Sequence, residues 1–386
     1  LESIAYLSGS RPAPRARSVT RYDSAAACNG LNLYVSGHGP EAHLIDMAGR
    51  RIHTWRYPAA RIWPERDFGN LRRDQSATYW RRAYLLENGD LLAIFSGLGL
   101  LMLDRDSRLL WVYEDQVHHD LALAPDGRIY VLTRQLRPDP AGEIRQPLLL
   151  DYVAVLDTAG RELERVSILE AIERSPYVSI IKERARSGDI LHTNSIVVLD
   201  DRLAHLGEAF RPGNVLLSIL RLSTVCTLDL TARRLAWAHS ALWKEQHDPT
   251  VLPNDRLLVF DNQGRRGASR VIEYDLARRQ AVWSYPDREA SPEALYSETC
   301  GTCQRLPNGN TLITESDAGR AIEIRRDGTI VWEFLNPHRA GQEDELVATL
   351  FAVHRYGMRR DLPWLRHSPP AAARPERARP DTSSFP

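Results

Sequence analysis

The stretch "TVLPNDRLLVF", residues 250–260, decides the fold. Two apolar runs flank a Pro-Asn-Asp group. Asn and Gly accept positive φ, so a turn cluster of this kind between apolar runs reads as strand, tight turn, strand. The same sentence recurs in "YLLENGDLLAIF" (84–95), "LALAPDGRIYVL" (121–132) and "QRLPNGNTLIT" (304–314). Residues 195–220, "SIVVLDDRLAHLGEAFRPGNVLLSIL", fit with an inserted turn.

A second pattern alternates with the first: a strand, an Asp and a turn, then a strand that ends in an aromatic. Its copies are "HLIDMAGRRIHTW" (43–55), "LMLDRDSRLLWVY" (101–113), "TLDLTARRLAWAH" (227–239), "EYDLARRQAVWSY" (273–285) and "EIRRDGTIVWEF" (323–334). "AVLDTAGRELERV" (154–166) is a copy without the Trp. Each pair of patterns makes four strands, at roughly the 40–50-residue pitch of propeller blades. Six copies predict an all-β, six-bladed β-propeller with a small helical insertion. The blades run over 31–358, after an N-terminal segment of 1–30. The insertion is the amphipathic stretch 167–186. "TLFAVHRYGM" (349–358) is expected to close the ring against the N-terminal segment. The Pro- and Arg-rich tail 368–386 is expected to be disordered.

Composition narrows the partners. Fifty basic and fifty acidic residues balance among 386, which leaves no charge field for nucleic acid or an anionic membrane. Lysine occurs only at Lys182 and Lys244. Four cysteines (Cys28, Cys226, Cys300 and Cys303) are too few for a disulfide scaffold. "CGTC" at 300–303 lacks a second ligand pair, so a short disulfide or two structural thiols is expected there rather than zinc. The chain begins at Leu1 rather than Met, which leaves room for a leader or membrane anchor already removed. No run in the chain is long enough to span a bilayer.

The turns also serve as a ruler. His119 lies six residues before Pro125, and His247 six before Pro253. Asn194 lies six before Asp200, and Gly301 six before Pro307. His119, Asn194 and His247 are therefore equivalent positions in three blades, where the innermost strand enters the central channel. His192, two residues before Asn194, points to the same side of an extended strand. Arg221 ends the strand that returns from the 195–220 hairpin, so it reaches the same rim. Any one of these could be a solvated or capping residue, and Arg221 could pair with a surface carboxylate. Their coincidence at one register, fixed by turns rather than chemistry, predicts a shared site. Three His could suggest a metal, but an Arg near the centre favours an anion. No metal and no cofactor is expected.

These residues resemble the bacterial arylsulfate sulfotransferases, propeller enzymes that do not use phosphoadenosyl sulfate. The resemblance rests on "HHD" (118–120), "LHTNS" (191–195), Arg221 and "QHD" (246–248). It continues through "FDN…SRVIEYD" (260–275), "QRLPNGNTLITES" (304–316) and "WEFLNP" (332–337). It implies ping-pong transfer of a sulfuryl group from an aryl sulfate to a phenol. His247 would become sulfohistidine. Arg221, His192 and Asn194 would hold sulfuryl oxygens, His119 with His192 would move the phenolic proton, and His118 and Arg270 would contact substrate. It also implies a periplasmic or extracellular setting, and a homodimer is an open expectation. Candidates for the aromatic wall of the acceptor site are Trp63, Phe68, Tyr79, Trp80, Tyr296 and Tyr356. The alternatives are a non-catalytic extracytoplasmic binding or assembly propeller, and a hydrolase or lyase using the same His cluster.

Overall fold

The computed structural model describes residues 11–66, 75–137, 148–182, 188–240, 242–265, 267–287, 295–340, 345–358 and 362–367. The alternating patterns fold as six antiparallel blades around a channel. The first blade holds Leu31–Ser36, Glu41–Ile45 and Arg51–Arg56. The second holds Arg82–Leu85, Leu91–Phe95, Gly99–Leu103 and Leu109–Glu114. Val117–Leu123, Ile129–Arg137, Leu148–Leu156 and Glu162–Ser167 form the third. Thr193–Val198, Val215–Ile219, Thr224–Asp229 and Arg234–His239 form the fourth. The fifth is His247–Leu252, Arg256–Arg265, Ala268–Asp275 and Gln280–Tyr285. The sixth is Thr302–Arg305, Thr311–Glu315, Arg320–Ile324 and Ile330–Leu335.

The ring closes twice. Leu350–Tyr356 pairs with Leu31–Ser36 as the innermost strand of the first blade. Ser18–Tyr22, from the N-terminal segment, adds a fifth, outermost strand to the sixth blade. The stretch 167–186 is not one helix. It gives Ile168–Glu173, capped by Ser167 Oγ accepting from Glu170 N at 3.3 Å, and the single turn Ser179–Lys182. Pro176 separates them, because the residue before a proline is driven out of the helical region. The tail lies outside the described residues. No helix among the described residues is long and apolar enough to cross a membrane.

The Asp of the second pattern builds its own turn. Asp46, Asp104 and Asp157 each accept two backbone N–H groups, two and four residues on, at 2.8–2.9 Å. The tight turn needs positive φ, supplied by Gly49 at 81° and Gly160 at 77°. In three copies the tryptophan then reaches the following blade. Trp111 Nε1 donates to Thr158 O at 3.2 Å, Trp283 to Arg326 O at 2.9 Å, and Trp332 to Met47 O at 2.9 Å. In the first blade His53 Nε2 fills this place, donating to Arg105 O at 2.7 Å. In the Trp-less third blade Glu164 stands at this position and meets Arg233 of the next turn at 3.3 Å. The repeat is thus a chain of fasteners, and Trp332 to Met47 carries it across the closure.

A buried ion pair fastens the same seam. Arg355, on the closing strand, meets Glu323 of the sixth blade at 2.7 Å, with 2% and 0% of the two side chains exposed. Arg355 also donates to Asn32 Oδ1 at 2.6 Å and to Cys28 O. Glu323 accepts from Cys28 N and Asn310 Nδ2. Removing one partner of such a pair strands the other charge. Arg355→Met is expected to lower stability by about 3–5 kcal/mol. Addition of Glu323→Gln should restore part of that loss, both read from urea unfolding midpoints.

Candidate active site

The inner strands do not enter the channel as regular ladders. Register slips between Val117 and Leu121, between Thr193 and Ser195, and between His247 and Thr250. Positive φ marks the same places: His119 at 53°, His192 at 52°, Asp248 at 51° and Cys300 at 57°. Bulges of this kind re-aim side chains, and left-handed non-glycine residues cost about 1–3 kcal/mol each. The strain gathers at one end of the channel in four blades.

There the ruler's residues meet. His119, Asn194, His247 and Gly301 line one small recess. The ruler applies to the second blade as well. Arg81 lies six residues before Glu87 of the "ENG" turn, and it lines the same recess. Its guanidinium lies 4.9 Å from the centroid of Phe351, another lining residue. Among the described residues no carboxylate forms an ion pair with Arg81.

A charged floor underlies the recess. Arg82 meets Asp120 at 2.8 Å and Asp248 at 2.9 Å, linking three blades. Asp120 also accepts from Ile196 N at 3.2 Å, and Asp248 from Cys303 N at 2.9 Å. The Asp of "HHD" and that of "QHD" therefore do the same job: each ties its own blade to Arg82 and to the next blade's inner strand. Beyond this floor the channel continues between Tyr84, Val198, Leu252, His354 and Tyr356.

Each histidine has a defined partner. His247 Nδ1 lies 2.9 Å from Asn262 Oδ1 and 3.1 Å from Glu245 O. Asn262 donates its amide to Ser297 O and Cys300 O, which fixes its oxygen toward His247. Both atoms facing Nδ1 are acceptors, so Nδ1 carries the proton and Nε2 the lone pair. Burial first, and the Arg81 cation after it, push His247 down to about 3, against the bond from Asn262. His119 is held well below its ordinary value by burial and by the neighbouring His192 and Arg81. Its Nδ1 lies 2.8 Å from Nδ1 of His118. His118 is buried, is pushed to about 3 by burial, and places Nε2 3.5 Å from Asp151. It therefore lies behind His119, outside the recess lining.

His192 packs edge-on to His119, 4.7 Å between centroids. Its Nδ1 lies 2.5 Å from Asp189 Oδ2. Burial would raise the Asp189 carboxyl, but His192, with Arg221 and Arg134 behind it, holds it below its ordinary value. Arg221 is half-exposed at the rim, 4.0 Å from Asp189. It reaches His192 through that carboxylate and does not line the recess. Asn194 donates to Gln246 O at 2.9 Å, and its buried Oδ1 has no partner among the described residues.

Arg270 is not brought to the recess. Its Nε bonds Asp261 Oδ2 at 2.8 Å and it donates to Leu242 O at 3.0 Å. Asp261 and Arg270 face each other across one hairpin, so the pair braces the fifth blade. The expected aromatic wall is also absent from the lining. Trp63, Tyr79 and Trp80 are buried in the core between the first and second blades. Tyr356 OH accepts from Leu85 N in the lower channel, and Tyr296 lies under Arg11. Phe68 lies outside the described residues. All four cysteines are free thiols. Cys300 and Cys303 are buried in different clusters, so the "CGTC" pair is structural and not a disulfide.

Sequence reasoning missed Arg81, Asp189, Asn262 and Phe351. Only Arg81 carried a signal of its own, the unextended ruler.

A search of curated proteins finds no match. Among solved structures, a Bacteroides caccae protein of unknown function superposes with TM-score 0.54 at 13% identity, covering 84% of this chain and 98% of that one. It shows the propeller fold alone. A streptogramin B lyase gives TM-score 0.49 at 11% identity over 88% of this chain and 97% of its own, too distant to bear on function. The profile of the arylsulfotransferase (ASST) family matches residues 82–337, two thirds of the chain and five of its six blades. The chain therefore belongs to the arylsulfotransferase family.

Proposed function

We propose that the protein moves a sulfuryl group from an aryl sulfate to a phenolic acceptor in two steps through His247. The observation that carries this is the imidazole held by Asn262 and Glu245, whose unprotonated Nε2 belongs to a recess shared with Arg81 and His119. A neutral imidazole is a nucleophile, and a phenolate is a good leaving group. In the first step Nε2 attacks sulfur, the S–N bond forms and the S–O(aryl) bond breaks. The departing phenolate takes the Nε2 proton of His192, which enters the cycle as an imidazolium and keeps its Nδ1–H on Asp189. In the second step the acceptor phenol gives its proton to His192 as its oxygen attacks the same sulfur. The S–N bond breaks and its electrons return to Nε2.

Charge develops on the sulfuryl oxygens and on the phenolic oxygen. Arg81 supplies a fixed cation in the recess, and Asn194 a polar side chain. Arg221 supports the rim through Asp189. Asp189 orients His192 as Asn262 orients His247. His119, which lines the recess, packs edge-on to His192 and positions the proton-transfer group. Preorganised donors of this kind act strongly where water is excluded.

Three outcomes test the reading. With p-nitrophenyl sulfate, nitrophenol should be released in quantity only when a phenol is added. His247→Ala should abolish release, and mass spectrometry of the wild type without acceptor should find one sulfuryl group on the peptide containing His247. Release without acceptor would mean hydrolysis, and no release with no modified peptide would remove the enzymatic reading for simple aryl sulfates.

Arg81→Met should lower kcat by about 10²–10³ with the fold intact by circular dichroism. Arg221→Met, acting through Asp189, should cost less.

The acid limit carries the third outcome. An ordinary imidazole loses its lone pair as pH falls through about 6.5, whereas His247 is held down to about 3. The nitrophenol burst, whose leaving group departs without a proton, should show no loss with a midpoint near 6.5. Stability has the opposite profile. His118 and His247 are neutral when folded and bind protons once unfolded, so the stability present above about pH 6.5 falls as pH drops toward about 3. Acid inactivation should therefore track unfolding, measured by fluorescence across the same pH series.

A further inference from the structure

Three histidines outside the transfer site come together at one place in the fold. His38 lies in the hairpin between Leu31–Ser36 and Glu41–Ile45, His43 on the second of those strands, and His338 in the connection from the sixth blade to the closing strand. One nitrogen from each falls in a group whose members all lie within 4.8 Å of one another. We propose that His38, His43 and His338, with Glu41, form a site for a divalent ion of the zinc type that staples the ring's last connection to its first blade.

The donor spacing supports this. Tetrahedral zinc with nitrogen and oxygen ligands at about 2.0–2.1 Å sets those ligand atoms about 3.3–3.4 Å apart. His43 Nε2 lies 3.5 Å from His38 Nε2 and 3.4 Å from Glu41 Oε1. His38 Nε2 lies 2.8 Å from the same carboxylate oxygen. The His38 and His338 rings stack with centroids 3.3 Å apart. The three imidazoles form the ligand group, and Glu41, close to two of them, is the carboxylate that would complete the closed four-ligand form of a structural ion.

Supporting bonds orient the donors as metal ligands are usually oriented. His43 Nδ1 lies 3.0 Å from Thr54 Oγ1, which leaves Nε2 for the ion. Tyr34 OH lies 3.2 Å from His338 Nε2. Asn336, two residues earlier, donates to Ser36 Oγ at 2.8 Å and Ala348 O at 2.7 Å, which fixes the connection beside the hairpin. Two cations border the group: Arg56, mostly exposed, lies 3.8 Å from Glu41 Oε2, and Arg51 bears on His43 and His338. The ion would join residues some three hundred positions apart at the seam that Arg355 and Trp332 already fasten.

The test uses the full chain stripped with a chelator and titrated with Zn²⁺ by calorimetry and with Co²⁺ by visible absorption. One equivalent should bind, Co²⁺ should give the intense bands of a tetrahedral site, and Tm should rise with Zn²⁺. His38→Gln combined with His338→Gln should abolish all three responses, whereas His247→Ala should leave them intact. If the double variant does not fold, Glu41→Gln is the second variant, expected to weaken Co²⁺ binding by at least about tenfold. No stoichiometric uptake would overturn the proposal. So would uptake that survives the His38 and His338 changes, that Glu41→Gln leaves unweakened, or that disappears with His247→Ala.

Discussion

The contact of Arg82 with Asp120 and Asp248 is the constraint on which the active end of the ring depends. A propeller channel has no side-chain layer of its own to fill it, so the inner strands must supply one. Arg82 answers this with one cation between two carboxylates from different blades, at 2.8 and 2.9 Å. Each carboxylate also holds a backbone N–H of the following blade. Three blades are thereby joined at Arg82, and two more inner strands are placed by the carboxylates' second bonds. His119 and His247 are the residues immediately before those aspartates, so fixing the aspartates fixes the histidines.

The strain at this end follows from the same demand. A regular strand alternates its side chains between faces, and it would not send a His to the recess and the next Asp to the floor of the channel. The bulges and the left-handed residues His119 and Asp248 re-aim the backbone between the two layers. Their conformational cost is offset by buried charge pairing rather than by hydrophobic packing. That is why the motif reads His-Asp and not His followed by an apolar residue.

Legibility in the sequence followed locality. The blades were readable because their turns are built from their own residues: Asp46, Asp104 and Asp157 accept from N–H groups two and four positions on, Asp229 and Asp275 from three positions on, and Gly49 and Gly160 stand where φ is positive. The His119, Asn194 and His247 register was readable because it counts from those turns. Arg81 obeys the same count, yet its turn is Glu-Asn-Gly without the proline that marks those of His119, His247 and Gly301. Arg270 shows the reverse error. It stands across the fifth blade's hairpin from Asp261, and that register alone pairs the two charges and withdraws the arginine from substrate. Asp189 and Asn262 could not be found by counting, since each matters only through a histidine that the fold brings to it.

The electrostatics of the recess favour a particular bound species. Burial and Arg81 both work against a proton on His247. They would work equally against any cationic adduct of that imidazole. A sulfuryl group attached to Nε2 brings its own negative oxygens to the ring, and those oxygens face Arg81, a cation with no carboxylate partner among the described residues. In the proposed cycle the environment that keeps the nucleophile neutral therefore also stabilises its sulfated form, without any change in the protein's own charges. The Arg82 floor cannot compete for that anion, because both of its faces are already neutralised by Asp120 and Asp248. Arg81 and Arg82, adjacent in sequence, are thus separated in role by the carboxylates alone.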